Sequence, residues 1–340
     1  MTPLCKTVAG MALAAGFSIA ASAEPPDDTY RTGIERFVAD MGGVQGFDAE
    51  TLRGLLSRAS YRQSIIDAIQ RPYEAKPWRD YRKIFLTPER IRGGVRFWSE
   101  NAATLERAEA TFGVKQEIIV AIIGVETNYG ANVGTYPVLD ALSTLGFAYP
   151  PRADFFRGEL DEFLRLTREE GIDPTRAVGS YAGAMGKPQF IASSYRAYAV
   201  DFDGDGRRDL WNSDADVIGS VANYFNRHGW RSDEAVAYRT RAPQDPPQTL
   251  AIAEKTPLAP NLTAGALSDA GFEWGTPLPA ETPLTLLRLD GDALNGGDGD
   301  EYWIGLTNFY VITRYNHSNL YAMAVHQLSE SIRARHLAGS

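Results

Sequence analysis

Glu126 is the acidic residue whose sequence surroundings best suit acid–base chemistry. Four isoleucines precede it by eight, seven, four and three residues: Ile118, Ile119, Ile122 and Ile123. On a helix this spacing places the carboxyl group on the same face as the isoleucines. An apolar environment disfavours the ionised form, so we expect a raised pKa for Glu126, as a general acid needs near neutral pH. The alternatives are a buried structural glutamate and one that lies in solvent in a frayed last turn.

A glycine-rich segment, GSYAGAMGKPQF at residues 179–190, offers a second set of chemical groups. Its three glycines let the backbone approach a ligand closely. Gln189 carries amide donors and a carbonyl acceptor, which suit the N-acetyl group of a sugar. Because many glycine-rich segments are only turns, a plain loop is the alternative interpretation.

The segment DFDGDGRRDLW at residues 201–211 fits the opening of a calcium-binding loop. Acids stand at positions 1, 3 and 5, a glycine at position 6, and a backbone carbonyl would bind from position 7: Asp201, Asp203, Asp205, Gly206 and Arg207. Position 12 is Asn212, where a standard EF-hand has glutamate. Three later acids are candidates to close the site: Asp209, Asp214 and Asp216. Clustered carboxylates repel one another without a cation, which favours metal binding over a solvated acidic turn.

Composition and motifs argue against several other classes of protein. The formal net charge is −9 and no basic run occurs, which disfavours binding to the phosphates of nucleic acid. The four histidines form no zinc-binding spacing, and neither a GxSxG elbow nor a phosphate loop is present. The 16 tyrosines and 6 tryptophans suit stacking on sugars, although most aromatic side chains simply fill cores.

The amino terminus has the pattern of an export signal. Lys6 precedes an apolar run from Val8 to Ala20, and small residues follow. We therefore expect residues 1–23 to be a signal peptide and the mature protein to be periplasmic. The run is shorter than the roughly 20 residues of a membrane-spanning helix, so no span is expected. The only cysteine, Cys5, precedes the run, which argues against lipid attachment at the cleavage point and excludes disulfides in the mature chain.

Apolar spacing of three and four residues predicts a mainly helical chain before residue 241. The predicted helices cover 34–39, 48–59, 61–70, 90–111, 115–127, 154–170, 193–199 and 217–227. From 242 to 299 the chain is rich in Pro, Gly, Asp and Thr, with one alternating strand at 285–289. Helix-compatible sequence returns from Ile304, with a closing helix at 320–332. A small β domain inserted into a helical protein is the expected organisation.

Five segments together resemble the B-type lytic murein transglycosylases: GVETNYG, GAMGKPQF, DFDGDGRRDLW, GSVANYFNRHGW and TRYNHSNLYAMAV. The resemblance runs in order from about residue 30 to residue 332. It implies a mainly α (α+β) fold, with a lysozyme-like catalytic core, an N-terminal helical domain and a small inserted β domain. The implied domains are a signal peptide at 1–23, a helical domain at 24–80, the core at 81–241, the β domain at 242–303 and a final segment at 304–340 that returns to the core.

The resemblance also implies roles for individual residues. Glu126 matches the catalytic glutamate of the family. The implied substrate-binding residues are Tyr81, Ser180, Gln189, Tyr224, Tyr315, Asn316 and Tyr321. The implied ligands of a structural Ca²⁺ are Asp201, Asp203, Asp205, the carbonyl of Arg207 and Asp216. No organic cofactor is implied. Lys187 stands where we expect an uncharged residue, and we predict that its ammonium points away from Glu126.

The implied reaction cleaves the MurNAc-β-1,4-GlcNAc bond of peptidoglycan and forms 1,6-anhydroMurNAc ends. The expected partner is the glycan strand, with a monomeric enzyme that a cell-wall complex could recruit. A lysozyme-type hydrolase is one alternative, since glycosidases with a second carboxylate use water. A non-catalytic, calcium-stabilised protein that binds peptidoglycan is the other.

Overall fold

The computed structural model describes residues 28–43, 47–71, 76–291 and 299–339. Helix accounts for 54% of the described residues and strand for 10%, which confirms the predicted mainly helical class with a small sheet. The predicted signal peptide lies outside the described residues. Within those residues, no helix is both long enough and apolar enough to cross a membrane.

Fourteen helices and eight strands are described below by their bounds. The helices are α1 (Thr29–Met41), α2 (Ala49–Leu56), α3 (Gln63–Ile69), α4 (Trp78–Phe85), α5 (Pro88–Glu100), α6 (Ala102–Phe112), α7 (Gln116–Thr127), α8 (Val138–Ala148), α9 (Ala153–Glu169), α10 (Ala192–Tyr198), α11 (Asp214–Arg227), α12 (Ala264–Asp269), α13 (Thr307–Tyr315) and α14 (Asn319–Gly339). The strands are β1 (Tyr136–Pro137), β2 (Val178–Gly179), β3 (Ala237–Arg241), β4 (Ile252–Ala253), β5 (Leu262–Thr263), β6 (Glu273–Trp274), β7 (Pro283–Asp290) and β8 (Asp300–Gly305).

Local sequence explains where several helices begin and end. The Thr87 hydroxyl accepts the N–H of Arg90 at the start of α5, and Pro88 fills the first turn. Gly113, at φ 75°, ends α6 in the left-handed conformation that glycine adopts freely. The single helix predicted over 90–111 is wrong, because Asn101 interrupts it at φ −117° and ψ 17° and separates α5 from α6.

The chain divides into two compact units, whose boundaries fall inside α7 and α11. One unit contains the described residues of 28–71 and 126–220. In it α8 packs against α1 and α9. Asp140 on α8 accepts the N–H of Ser60 at 2.8 Å and pairs with Arg62 at 2.7 Å, which holds the segment between α2 and α3 against α8.

The other unit contains the described residues of 76–125 and 221–339. In it α14 packs against α4, α5 and α13. The main sheet has the order β4-β7-β8-β3-β6, and β5 also pairs with β7. The strand predicted at 285–289 is confirmed as part of β7. The return to helix predicted from Ile304 is wrong by a few residues, since Ile304 pairs with Leu286 in the sheet and α13 begins at Thr307.

A separate apolar core lies between α12 and the sheet. Its members are small or apolar side chains with at most 2% exposure: Ala264, Leu267, Phe272, Leu284, Leu286, Ile304 and Leu306. Leu284 and Leu286 stand two residues apart on β7, so both side chains enter this core from one face of the sheet.

Candidate active site

Glu126 lies in the last turn of α7 and is one of the few buried acidic residues. Its residue exposure is 6%, and the four isoleucines that precede it on the helix are exposed by 3% or less. The predicted burial of both the glutamate and the isoleucines is therefore observed. Apolar residues on all sides of α7 explain its burial, because a helix without a polar face belongs in a core.

The turn that follows Glu126 has unusual backbone geometry. Asn128 and Tyr129 have φ angles of 50° and 61°, and Gly130 has 89°. For tyrosine this conformation costs about 1 kcal/mol or more, whereas asparagine adopts it more readily, and such strain persists only where surrounding structure imposes it. The Thr127 hydroxyl provides that structure, because it accepts the N–H of Gly130 at 3.0 Å and donates to the carbonyl of Lys187 at 2.9 Å.

The glycine-rich segment folds back on itself close to Ser180. The Ser180 hydroxyl oxygen accepts the N–H groups of Ala182 at 3.3 Å and Ala184 at 3.0 Å. Gly183 has φ 79°, and a Cβ there would lie 2.6 Å from the side chain of Leu142, so only glycine fits. The segment is therefore a fixed loop, and Ser180, exposed by 1%, is part of what fixes it.

Gln189 presents a buried acceptor oxygen. Its side-chain N–H groups donate to the carbonyls of Val133 at 3.1 Å and Gly186 at 2.9 Å. Its Oε1 atom is inaccessible to solvent and, among the described residues, has no partner. The residue is 7% exposed and has φ 52°, another left-handed position. A buried, unpaired amide oxygen is unfavourable by about 1–3 kcal/mol.

Lys187 lies between Gly186 and Gln189, and its ammonium group is paired. The Nζ atom lies 2.5 Å from a carboxylate oxygen of Asp214, and the lysine side chain is 17% exposed. The contact with Asp214 agrees with an ammonium group that points away from Glu126. Its orientation relative to Glu126 stays a prediction. The partner residue is the first of α11 and was not foreseen from the sequence.

Three acidic side chains meet in the 201–216 segment. Oxygen atoms of Asp201, Asp203 and Asp216 lie within 4.8 Å of one another. Asp201 and Asp203 are exposed, whereas Asp216 on α11 is buried, and burial raises the pKa of Asp216. We refer to these three residues as the acidic cluster.

Two other acids of this segment, Asp205 and Asp209, lie outside the acidic cluster and accept backbone N–H groups. The Asp205 carboxylate accepts the N–H of Arg207 at 2.9 Å, and neither residue belongs to the acidic cluster. Asp209 accepts the N–H groups of Trp211 and Asn212, at 2.9 and 3.0 Å. The roles predicted for Asp205 and for the Arg207 carbonyl as metal ligands stay predictions.

The acidic cluster fits a hard divalent cation. Carboxylate oxygens are the ligands that Ca²⁺ prefers, and a cation would offset the repulsion among three carboxylates. Backbone N–H groups already hold all three in place, and Asp203 accepts from Asp205 at 3.2 Å. Asp201 accepts from Gly204 and Gly206, and Asp216 accepts from Phe202 and Asp209: the distances are 2.7, 2.8, 2.7 and 2.8 Å.

The tyrosines predicted to bind substrate lie in the unit that contains residues 221–339. The rings of Tyr224 and Tyr315 meet edge to face, with centroids 4.8 Å apart, and Tyr321 stacks on Tyr315 at 6.5 Å. The Tyr224 hydroxyl donates to the carbonyl of Arg314 at 2.6 Å. All three are nearly buried, with exposures of 6%, 7% and 1%.

Two further residues predicted to bind substrate are also buried. Asn316 is 5% exposed, and its carbonyl accepts the N–H of Ser318 at 2.7 Å. Tyr81 on α4 is fully buried, and its ring lies 5.3 Å from that of Phe85. Sequence reasoning missed Thr127 and Asp214. The only signal for Thr127 was its place beside Glu126, and Asp214 was considered only as a metal ligand.

Comparison with known proteins places this site in a family. The transglycosylase SLT domain matches residues 29–330. Over 313 residues the chain is 44% identical to the membrane-bound lytic murein transglycosylase B of Escherichia coli, which covers 88% of this chain and 82% of that protein. It is 51% identical to the solved structure of the soluble lytic transglycosylase SltB1 of Pseudomonas aeruginosa, with a TM-score of 0.82 over 89% of this chain and 99% of that one.

A further solved structure is that of the Escherichia coli lytic transglycosylase Slt35 in complex with calcium. It is 42% identical, with a TM-score of 0.80 over 93% of this chain and 95% of that one. These matches define the class of fold as that of the lysozyme-like lytic transglycosylases, as the sequence predicted. The chain belongs to the transglycosylase SLT-domain family, and within it to the B-type lytic transglycosylases.

Proposed function

We propose that this protein cleaves the MurNAc-β-1,4-GlcNAc bond of peptidoglycan without consuming water, with Glu126 as the single acid and base. The observation that carries the proposal is the burial of Glu126 at the end of an apolar helix. Burial favours the protonated form of a carboxyl group, which a general acid must hold before the bond breaks. The lytic murein transglycosylase to which the chain is 44% identical supports the same reaction class.

The proposed reaction uses one carboxyl group twice. Protonated Glu126 gives its proton to the GlcNAc oxygen as the bond to the MurNAc anomeric carbon breaks. The 2-acetamido group stabilises the positive charge that develops on that carbon. The ionised Glu126 then takes the proton of the MurNAc 6-hydroxyl as its oxygen bonds to the carbon. The products are a 1,6-anhydroMurNAc end and a free GlcNAc 4-hydroxyl, and the nucleophile is intramolecular, which favours its attack.

The loop at 179–190 is proposed to hold the sugar that reacts. The Oε1 of Gln189, which has no partner among the described residues, would accept the N–H of an N-acetyl group, because an amide donor satisfies a buried carbonyl oxygen. Ser180 has a hydroxyl hydrogen to donate as well as the two bonds that it accepts. The five remaining predicted residues are proposed to contact the glycan strand: Tyr81, Tyr224, Tyr315, Asn316 and Tyr321.

The decisive experiment is mass spectrometry of fragments released from purified murein sacculi. Anhydro ends support the proposal, whereas reducing ends, heavier by one water, would favour a lysozyme-type hydrolase. The E126Q variant should lose turnover by at least a thousandfold and keep glycan binding. The matched control is E117Q, which changes a partly buried glutamate at the other end of α7 and should leave turnover intact. Equal activity in E126Q and wild type would remove Glu126 from the mechanism.

The acidic cluster is proposed to bind a structural Ca²⁺ through Asp201, Asp203 and Asp216, with Asp205 and the Arg207 carbonyl as further ligands. The calcium complex of Slt35 supports this assignment. Removal of calcium with a chelator should lower the Tm, and added calcium should restore it. A D201N/D203N variant should lose that response, while D245N, an exposed aspartate outside the segment, should retain it. An unchanged Tm after chelation would refute the site.

A periplasmic location, reached through the amino-terminal signal without lipid attachment, is proposed for the mature protein. The relatives include a membrane-bound lytic transglycosylase of Escherichia coli and a soluble one of Pseudomonas aeruginosa. Cell fractionation, with mass measurement of the mature amino terminus, would test the proposal. A lipid-modified terminus would contradict it.

We also propose the domain boundaries that the family resemblance implies, and a monomeric state for the protein.

A further inference from the structure

Lys187 contacts three other segments of its unit. Its backbone N–H donates to the carbonyl of Leu210 at 2.8 Å, and its carbonyl accepts the hydroxyl of Thr127 at 2.9 Å. Its ammonium pairs with Asp214 at 2.5 Å. Three separate segments of the same unit are therefore bound to one residue: the turn after α7, the end of the 201–211 segment and the start of α11.

The aliphatic part of Lys187 also covers the strained turn. A Cβ added to Gly130 would lie 2.9 Å from Cε and 3.0 Å from Cδ of the lysine, so the stem packs directly on Gly130. The turn is thus held by the Thr127 hydroxyl and by the lysine stem. Because Tyr129 has an unfavourable φ angle, this turn would relax without external contacts.

The ion pair fixes the position of the lysine stem. The side chain of Lys187 is 17% exposed and that of Asp214 is 37% exposed, so the pair is partly shielded from water. A free lysine side chain has many rotamers, and a shielded partner selects one of them. Asp214 is itself fixed as the first residue of α11, the helix that also carries Asp216 of the acidic cluster.

We propose that Lys187, held by Asp214, is a positioning residue for Glu126. It touches no reacting atom. It acts through Thr127 and Gly130 to keep the turn in the one conformation that directs the Glu126 carboxyl group. This inference rests on the proposed function of Glu126. The proposed role of the lysine is to fix the geometry of the turn. It is not to lower the pKa of an acid, as a nearby cation would.

The test compares variants that separate charge, stem and pairing. K187M keeps an unbranched stem over Gly130 and removes the ammonium, D214N removes the partner, and K187R restores a cation. We expect kcat to fall about ten- to a hundredfold in K187M, since misplacement of a reacting group by about 1 Å has effects of this size. KM for soluble glycan fragments should change less than twofold. K187R should recover most of the activity.

A double-mutant cycle tests the pairing. D214N should lower kcat by a similar factor, and K187M/D214N should be no worse than either single variant, because both remove one contact. The matched control is K115M, which breaks an exposed lysine pair with Glu109 and should leave kcat unchanged. Circular dichroism at the assay temperature checks that each variant is folded. If K187M does not fold, D214N with the lysine intact carries the test.

Three results would overturn the proposal. The first is an unchanged kcat in folded K187M and D214N. The second is a kcat of the double variant that is reduced by the product of the two single losses. The third is a fall in Tm without a fall in kcat, which would make the ion pair merely structural. Wild type and E126Q are measured in parallel. Full activity of E126Q would refute the assignment of Glu126 itself. If E126Q loses its activity and the Lys187 variants keep the wild-type kcat, only the positioning role of Lys187 is refuted.

Discussion

His326 on α14 should make the protein less stable in mild acid. Its Nδ1 atom is inaccessible to solvent and has no hydrogen-bond partner among the described residues, and Trp303 meets its ring edge to face at 6.0 Å. Burial lowers the pKa of His326 from 6.5 to about 4, and Glu330, one turn further along α14, opposes this shift. The folded protein therefore keeps this histidine neutral where the unfolded chain binds a proton.

The magnitude follows from the difference between the two pKa values. Above pH 6.5 neither state is protonated and the stability is complete. As the pH falls from 6.5 towards 4, only the unfolded chain takes up the proton, so folding stability decreases by about 1.4 kcal/mol per pH unit. The total loss from this one residue is about 3 kcal/mol, of which about 2 kcal/mol appears between pH 7 and pH 5.

Chemical denaturation of wild type and H326F from pH 4.5 to 8 measures this contribution. Phenylalanine fills a similar volume and cannot titrate, so H326F should lose about 2 kcal/mol less than wild type between pH 7 and pH 5. The control H317Q changes an exposed histidine and should retain most of the wild-type dependence. Parallel stability curves for H326F and wild type would refute the reasoning, because they would mean that His326 titrates equally in both states.

Two further substitutions test the frame around the candidate site. In G134A a Cβ would lie 2.1 Å from the carbonyl oxygen of Gly179 at a φ of 92°, so the loop before Ser180 must move; we expect a loss of about 2 kcal/mol or more in chemical denaturation and a fall in turnover. In D140A the N–H of Ser60 and the guanidinium of Arg62 lose their carboxylate, and thermal unfolding should show a loss of about 2–3 kcal/mol with kcat retained. Wild-type stability in either variant would contradict the corresponding contact.

The helices that contribute to the site could be predicted where the apolar pattern is strong. Helix α7 was predicted at 115–127 and observed at Gln116–Thr127, and α9 agrees equally well. The interruption at Asn101 could not be predicted, because it depends on neither glycine nor proline. There the Asn101 side chain donates to the carbonyl of Phe97 at 3.0 Å and competes with the helix for its own backbone.

The geometry of the site was only partly accessible from the sequence. The spacing of isoleucines was sufficient to predict that Glu126 is buried. The left-handed turn at Asn128 and Tyr129 could not be foreseen, since contacts with residues about 60 positions away impose it. The same holds for Lys187, whose partner Asp214 lies 27 positions further along the chain. Local patterns predict elements, whereas these contacts exist only after the chain has folded.

The backbone at Tyr129 has a consequence for anyone who engineers this enzyme for heat resistance. Glycine adopts a φ of 61° without strain, so a substitution chosen on backbone strain alone would place glycine there. The relaxed turn would then be free to adopt other conformations beside Glu126. Selection for a higher melting temperature alone would therefore lower turnover through a change at Tyr129. Mutant libraries should leave this residue unchanged.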